Sequence, residues 1–218
     1  DIKEVIEIDI YISGITKTDM RFRNNKNIHS VRIDNGVQEI SGGKIGFRYT
    51  GGGSFCECSS LRYICIPSSV TSIGDYSFLR CSSLTQIVIP SSVISIKYGA
   101  FYGCSSLTQV SFTTPSSVNE IDKYAFYRCS SLSKISIPAS ITEIKDFSFD
   151  ECQSLVQISI PSSITKIGKN AFNKCEKIIL SNDMEIIQSN AFQGCSSLKE
   201  ITIPSSVTEI GESAFKGC

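Results

Sequence analysis

Short segments in which apolar and polar positions alternate return along the chain at a nearly constant interval. One such segment has Leu84, Ile87 and Ile89 at its first, fourth and sixth positions. Ile87 and Ile89 share one face, because side chains point to opposite faces at successive positions of a strand. The same pattern occurs at Leu61, Ile64 and Ile66, at Leu132, Ile135 and Ile137, at Leu155, Ile158 and Ile160, and at Leu198, Ile201 and Ile203. The pattern predicts one strand, the first of each repeat.

A proline followed by a Ser-Ser or Ala-Ser pair comes directly after most of these segments. The prolines are Pro67, Pro90, Pro138, Pro161 and Pro204. Proline has no N–H for a strand ladder, so the first strand has to end there, and the small polar pair is typical of a turn. A second, shorter apolar alternation follows, as at positions 70 and 73 or 207 and 210. We predict a second short strand there.

Phenylalanine and cysteine, three residues apart, mark the end of each repeat. The phenylalanines are Phe55, Phe78, Phe101, Phe126, Phe149, Phe172, Phe192 and Phe215, and a cysteine lies three residues after each. The successive spacings are 23, 23, 25, 23, 23, 20 and 23 residues. A repeat of this length is typical of a solenoid, in which each coil buries its apolar side against its neighbours. We predict a mainly β solenoid with a parallel sheet, in which A-F-x-x-C forms a short helical or 3₁₀ turn.

Two intervals depart from this regular length. Thr113 and Thr114 add two residues to the turn in the 25-residue interval, and the 20-residue interval lacks the S-S-L that normally follows the cysteine. Insertions and deletions in solenoids fall in loops, so we expect both to leave the stack of coils intact.

The unit L-x-x-I-x-I-P-S-S-V-T-x-I-G-x-x-A-F-x-x-C resembles the leucine-rich repeats of the BspA-like family, which are surface proteins of anaerobic bacteria and mucosal protozoan parasites. The resemblance covers residues 55–218. It implies a right-handed leucine-rich repeat superhelix and a cell-surface or extracellular binding or adhesion module. A cytoplasmic scaffold for protein–protein interaction, built on the same architecture, is the alternative.

Three parts of the chain follow from the repeat. Residues 28–54 contain one degenerate copy with a Gly-rich loop, because Ile28, Val31 and Ile33 align with the first-strand positions at an offset of 33. Residues 1–27 supply an N-terminal cap or flanking strand, and 55–218 hold seven repeats and the start of an eighth. The chain stops at Cys218 with no C-terminal cap, so we expect a tendency to end-to-end self-association.

Charge and hydropathy exclude two classes of partner. The 21 basic and 21 acidic side chains give a net charge of zero, so no basic footprint for nucleic acid is present. No apolar run approaches the roughly 18 residues of a spanning helix, so direct membrane insertion is not expected.

The ten cysteines and the single histidine do not indicate an enzyme, a cofactor site or a metal site. Eight cysteines occupy the same position of successive coils, where parallel side chains match neither disulfide nor tetrahedral zinc geometry, so we interpret them as a buried column. Cys56 and Cys65 fall outside it, and Cys65 is predicted to face outward as the most reactive thiol, so a thiol-dependent activity is a weaker alternative. His29 lies away from the repeated Ser and Cys positions. We therefore expect a non-enzymatic protein.

The outward positions of the first strands form the candidate binding face. They are mostly Gln, Ser and Thr, which suits a surface protein or a glycan from host or microbe, although such residues also simply solvate an exposed sheet. The residues predicted to contact a partner are Arg32, Arg62, Tyr63, Gln86, Gln109, Lys134 and Gln157. Arg and Tyr are common in binding hot spots. Tyr98, Tyr102, Tyr124 and Tyr127 either mark a second surface or pack over neighbouring coils.

Overall fold

The computed structural model describes residues 8–15, 17–43, 52–155, 157–164 and 166–218. The chain forms a parallel β solenoid of about 8 turns with about 23 residues per coil, and almost no helix. The predicted fold class is confirmed. The one 3₁₀ helix of the described residues is Met20–Phe22.

The first strand of each coil contributes to one side of the solenoid. These strands are β1 (Ile8–Ile12), β2 (Ile28–Ile33), β4 (Tyr63–Cys65), β6 (Gln86–Ile89), β8 (Gln109–Phe112), β10 (Lys134–Ile135), β12 (Gln157–Ile160), β14 (Lys177–Leu180) and β16 (Glu200–Thr202). They pair in parallel in the orders β1-β2-β4, β6-β8-β10 and β12-β14-β16. β4 also contacts β6, and β10 contacts β12, so the three groups follow one another along the solenoid.

The predicted second strands are also present, each two residues long. They are β3 (Glu39–Ile40), β5 (Ser72–Ile73), β7 (Ser95–Ile96), β9 (Glu120–Ile121), β11 (Glu143–Ile144), β13 (Lys166–Ile167), β15 (Ile186–Ile187) and β17 (Glu209–Ile210). Their order is β3-β5-β7-β9, β11-β13 and β15-β17, again parallel. Apolar side chains from both strands of each coil meet in one continuous core.

The degenerate first copy pairs with the register that its offset predicts. Ser30 lies opposite Tyr63 and Val31 opposite Ile64, which confirms the alignment. β1 in turn pairs with β2, and Lys17 bridges to Glu39, so the chain from residue 8 onward already follows the path of a coil. The division at residue 27 stays a prediction, and Ile6 and most of the Gly-rich loop lie outside the described residues.

A column of stacked phenylalanine rings runs through the turn side of the core. Adjacent rings are nearly parallel, with centroids 5.1 to 5.6 Å apart, from Phe22 through Phe55 to Phe172. The two-residue insertion leaves the column intact, since Phe101 and Phe126 stack at 5.3 Å across it. Phe22 was not recognised in the sequence as a member, although it precedes Phe55 by the same offset of 33 residues.

The three-residue deletion does not leave the column intact. β12, β14 and β16 stay paired across it, as expected. Within the described residues, however, no ring contact joins Phe172 to Phe192, and the Sγ of Cys175 donates to the carbonyl of Lys177 instead of to the preceding coil. The shorter turn therefore keeps the ladder of strands but shifts the rings out of register.

The cysteine column is a column of hydrogen-bond donors. The Sγ of Cys81, Cys104, Cys129 and Cys152 each donates to the carbonyl of the phenylalanine in the preceding coil, at 3.0 to 3.1 Å. All four side chains are buried. The predicted buried column is therefore present, but each cysteine also connects one coil to the next.

The A-F-x-x-C stretch forms single turns that do not continue as a helix. The N–H of Cys81 donates to the carbonyl of Phe78 within the turn, whereas the N–H of Phe78 donates to Ala100 of the next coil. Tyr76 and Arg80, on either side of Phe78, have φ of 53° and 55°. Left-handed residues at this spacing interrupt a helix and direct alternate N–H groups to the neighbouring coil.

Candidate binding face

The outward side chains of β1, β2, β4, β6, β8, β10, β12, β14 and β16 form one surface, which we call the strand-one face. Alternation along each strand positions it: in β6 the apolar Ile87 and Ile89 are buried, while Gln86 and Val88 are exposed. Because the strands are in register, equivalent positions align from coil to coil. The face therefore has two rows of outward side chains.

The sequence-predicted contact residues lie on this face. Tyr63, Gln86, Gln109 and Lys134 are exposed at equivalent positions of their strands and form part of one row. Arg32 belongs to the other row, opposite Cys65, and Arg62 is exposed just before β4. The backbone of Gln157 lies in β12 opposite Lys177, and its side chain is outside the described residues. All seven positions are on one side of the solenoid; their part in binding stays a prediction.

One end of the face differs from the rest in chemistry. Tyr63 and Val88 are 57% and 54% exposed, and Cys65 is exposed between them in the sequence, as predicted. Tyr11, 62% exposed, lies opposite Arg32 through the pairing of β1 with β2. We call Tyr11, Arg32, Tyr63, Cys65 and Val88 the aromatic end of the strand-one face.

Tyr11 is a residue that sequence reasoning missed. The alternating isoleucines of the first segment already place Tyr11 on the outward face of a strand. What the repeat did not indicate is that this strand pairs with β2, because the 21-residue offset between Tyr11 and Arg32 matches no other interval.

Two open grooves lie where neighbouring strands of the face are not joined by a ladder. One, of about 500 Å³, adjoins β4 and β6 and is lined by apolar groups that include Ile64, Cys65 and Val88. The other, of about 830 Å³, adjoins β10 and β12 and is lined by Lys134 and several serines. The groove at the aromatic end is thus the more apolar of the two.

The repeat-breaking tyrosines lie on the turn side of the solenoid, away from the strand-one face. Tyr98 contacts Tyr76 and Tyr124, each with ring centroids 5.3 Å apart, and Tyr102 contacts Tyr127 at 4.8 Å. Each is half-buried. Of the two readings of these tyrosines, packing over neighbouring coils is therefore observed.

No site for thiol or histidine chemistry emerges from the described residues. Burial raises the pKa of Cys56 to about 11, so this thiol is protonated and weakly nucleophilic near neutral pH. His29 is buried, and its Nδ1 lies 2.8 Å from the carbonyl oxygen of Asn27. No group of three or more His, Cys, Asp or Glu side chains in the described part of the chain is arranged to hold a metal ion. No helix there is long and apolar enough to cross a membrane.

Comparison with known proteins adds a family match. Residues 48–179 and 176–218 match the family model for the BspA type leucine rich repeat region, in 6 copies. A leucine-rich repeat protein of T. pallidum is similar in structure, with 32% identity and a TM-score of 0.60 over 71% of this chain and 75% of that one. A comparison with curated proteins found no match.

Two further solved structures are more distant. A leucine-rich cell surface protein of Faecalibacterium prausnitzii shares 23% identity over 96% of this chain and 85% of that one, with a TM-score of 0.35. The pneumococcal vaccine antigen PcpA shares 17% identity over 96% of this chain and 69% of that one, with a TM-score of 0.44.

Proposed function

Because the chain belongs to the BspA-type leucine-rich repeat family, we propose that it is a non-enzymatic binding module, displayed at a cell surface, that adheres to a host or microbial surface protein. Repeat families of this kind provide extended faces that bind proteins. The contact surface in this proposal is the strand-one face, with its energetic centre at the aromatic end.

The observation that carries the proposal is the group of exposed aromatic, apolar and arginine side chains at that end. Tyr and Arg dominate hot spots in protein interfaces, because they bury a large area and still satisfy polar groups. Val88 and the neighbouring apolar groove supply the dry contact that such a centre needs. The zero net charge is also in accord with a protein partner.

The test is binding of the labelled chain to intact epithelial cells and to bacteria, measured by flow cytometry. In the test variant, Arg32→Ala, Arg62→Ala and Tyr63→Ala are combined. A matched control combines Ser159→Ala, Glu200→Ala and Thr202→Ala, which are exposed at the other end of the same face. We expect at least a tenfold loss of binding in the first variant and little change in the second. Equal binding by both, with unchanged folding, would refute the proposal.

An intracellular scaffold is the second candidate, and the ten free thiols favour it. Disulfides are rare in the cytosol, where thiols stay reduced, whereas cysteine-rich extracellular proteins are usually bridged. An antibody against the solenoid decides between the two. Staining of intact cells supports surface display, and staining only after permeabilisation supports the scaffold.

A further inference from the structure

A charged row on the turn side of the solenoid is unrelated to the strand-one face. It is formed by the residue before each cysteine: Glu57, Arg80, Gly103, Arg128, Glu151, Lys174, Gly194 and Gly217. Its backbone is left-handed throughout, with φ between 55° and 80°. Three coils have glycine there, the residue that this conformation favours. The charged members therefore occupy a backbone position that disfavours them, and packing does not explain their presence, because Arg80 and Arg128 are exposed.

Gly103 separates the two arginines and opens a groove between them. Arg80, Tyr102, Gly103 and Arg128 are among the residues that line this groove, which has a volume of about 410 Å³. A Cβ atom at position 103 would lie 3.3 Å from the Cγ of Arg80, so the missing side chain leaves the space through which that arginine extends. The arginines are two coils apart, or about 10 Å at the strand spacing.

Both arginines are available to a ligand. Arg80 is held by Glu57 at 3.3 Å, in a pair that is largely exposed and therefore weak. The guanidinium of Arg128 lies over the ring of Tyr127, 5.3 Å from its centroid, and makes no ion pair within the described residues. Two guanidinium groups on either side of a glycine form a site for a planar acid group.

The surroundings of the arginines limit the kind of anion. Glu57 and Glu151 lie one coil beyond Arg80 and Arg128, so the order along the row is Glu, Arg, Gly, Arg, Glu. A densely charged polyanion that continued along the row would meet both carboxylates. The half-buried ring of Tyr102 offers an apolar surface beside the arginines, on which the C–H face of a sugar can stack.

We propose that the groove between Arg80 and Arg128 binds a carboxylated glycan, with one acid group over Gly103 and the adjoining sugar against Tyr102. The spacing of the arginines is comparable to the length of a disaccharide, so a polymer with one carboxylate per disaccharide fits the row better than a fully charged chain. This site is separate from the strand-one face, and its ligand is distinct from the protein partner proposed for that face.

The experiment uses fluorescence anisotropy with a labelled hyaluronan octasaccharide, which carries one carboxylate per disaccharide. The test variant combines Arg80→Gly and Arg128→Gly, and the control is Lys174→Gly in the same row outside the groove. Glycine already occupies this position in three coils, so each change suits the backbone. We expect at least a tenfold weaker affinity for the double variant, an affinity within twofold of the parent for the control, and weaker binding of all three proteins at higher salt.

Two competitors complete the test. A neutral N-acetylglucosamine oligomer is expected not to displace the probe, and a polyglutamate peptide is expected to displace it at least tenfold less well than unlabelled hyaluronan. Unchanged affinity of the double variant, displacement by the neutral oligomer, or stronger displacement by the peptide would each overturn the proposal. Cell binding through the strand-one face is measured separately, so failure of one proposal leaves the other standing.

Discussion

The buried turn side of the coils and the exposed strand-one face obey different rules along the same repeats. On the turn side, phenylalanine and cysteine recur with little variation, and each contacts its equivalent or its neighbour in the adjacent coil. On the strand-one face the outward residue changes from Tyr63 through glutamine and lysine to Glu200. Stacking requires identical surfaces on successive coils, whereas an outward side chain meets only solvent or a partner. The repeated residues therefore maintain the fold, and the varied ones are free to specify binding.

Removing a ring from the phenylalanine column should have the largest effect. Phe126 is fully buried between Phe101 and Phe149, with centroids 5.3 and 5.4 Å away. We expect Phe126→Ala to lower the free energy of unfolding by about 3–5 kcal/mol, because it leaves a cavity between two coils. Urea denaturation measures the loss. The matched control, Gln109→Ala on the strand-one face, should cost no more than about 0.5 kcal/mol; equal losses would mean that the inside and outside are wrongly assigned.

Cys129 tests whether the cysteine column acts through its hydrogen bonds. Its Sγ donates to the carbonyl of Phe101 at 3.1 Å. We expect Cys129→Ala to cost about 1–2 kcal/mol of unfolding free energy. Cys129→Ser should cost less, because the hydroxyl keeps a donor at the same place. A serine variant less stable than the alanine variant, by urea denaturation, would show that the column is only apolar packing.

Asp150 is an exception on the buried side. Its carboxylate is buried, and its Oδ1 has no hydrogen-bond partner within the described residues. Burial raises its pKa, although hydrogen bonding to Asn173 opposes the shift. A raised folded-state pKa means that stability is highest when the group is protonated and falls as the pH rises from the unfolded value, 3.8, through the folded one.

We therefore expect Asp150→Asn to stabilise the protein at pH 7 by about 1 kcal/mol, since it removes a poorly compensated buried charge. The gain should shrink as the pH is lowered below 3.8. Urea denaturation of parent and variant at a series of pH values measures it. A variant that is less stable than the parent at pH 7 would indicate that the carboxylate has a favourable partner.

Glu120 should give the smallest effect. It accepts from Lys145 at 2.7 Å and from Lys97 at 2.6 Å, and these bonds, Lys145 first, lower its pKa. A lowered folded-state pKa gives stability that is present above the unfolded value, 4.5, and is lost as the pH falls through the folded one. Glu120→Gln is expected to cost about 0.5 kcal/mol at pH 7 and nothing in strong acid, because the pair is partly solvated. A loss that persists in acid would point to packing and not to charge.

The sequence predicted the parts of the fold that depend on repetition. Ser30 opposite Tyr63 follows from one constant offset, and the burial of Ile87 beside exposed Gln86 follows from alternation. It did not predict the break between the rings of Phe172 and Phe192, because the position of a ring depends on the three-dimensional path of the shortened turn and not on the residue count. The outward direction of Cys65 was predicted correctly, since it needs only the two-residue period of a strand.

The candidate sites were predicted less completely for the same reason. The face holding Arg32, Tyr63 and Gln109 was found because strand alternation sorts inside from outside. Tyr11 was missed, because its coil has a different length. The pairing of Arg80 with Arg128 across Gly103 depends on stacking of three coils whose turns are 23 and 25 residues apart, and alternation within one coil carries no signal of it.

The most direct test of the account is to give the aromatic end the residues of the other coils. In this variant Tyr63→Gln, Cys65→Ser and Val88→Ser are combined, so that β4 and β6 present the Gln and Ser found on β12. Its binding to epithelial cells and bacteria and its urea midpoint are measured beside the parent. The account predicts loss of binding with an unchanged midpoint. Full binding by the variant would contradict it, because recognition would then not depend on the side chains that depart from the repeat.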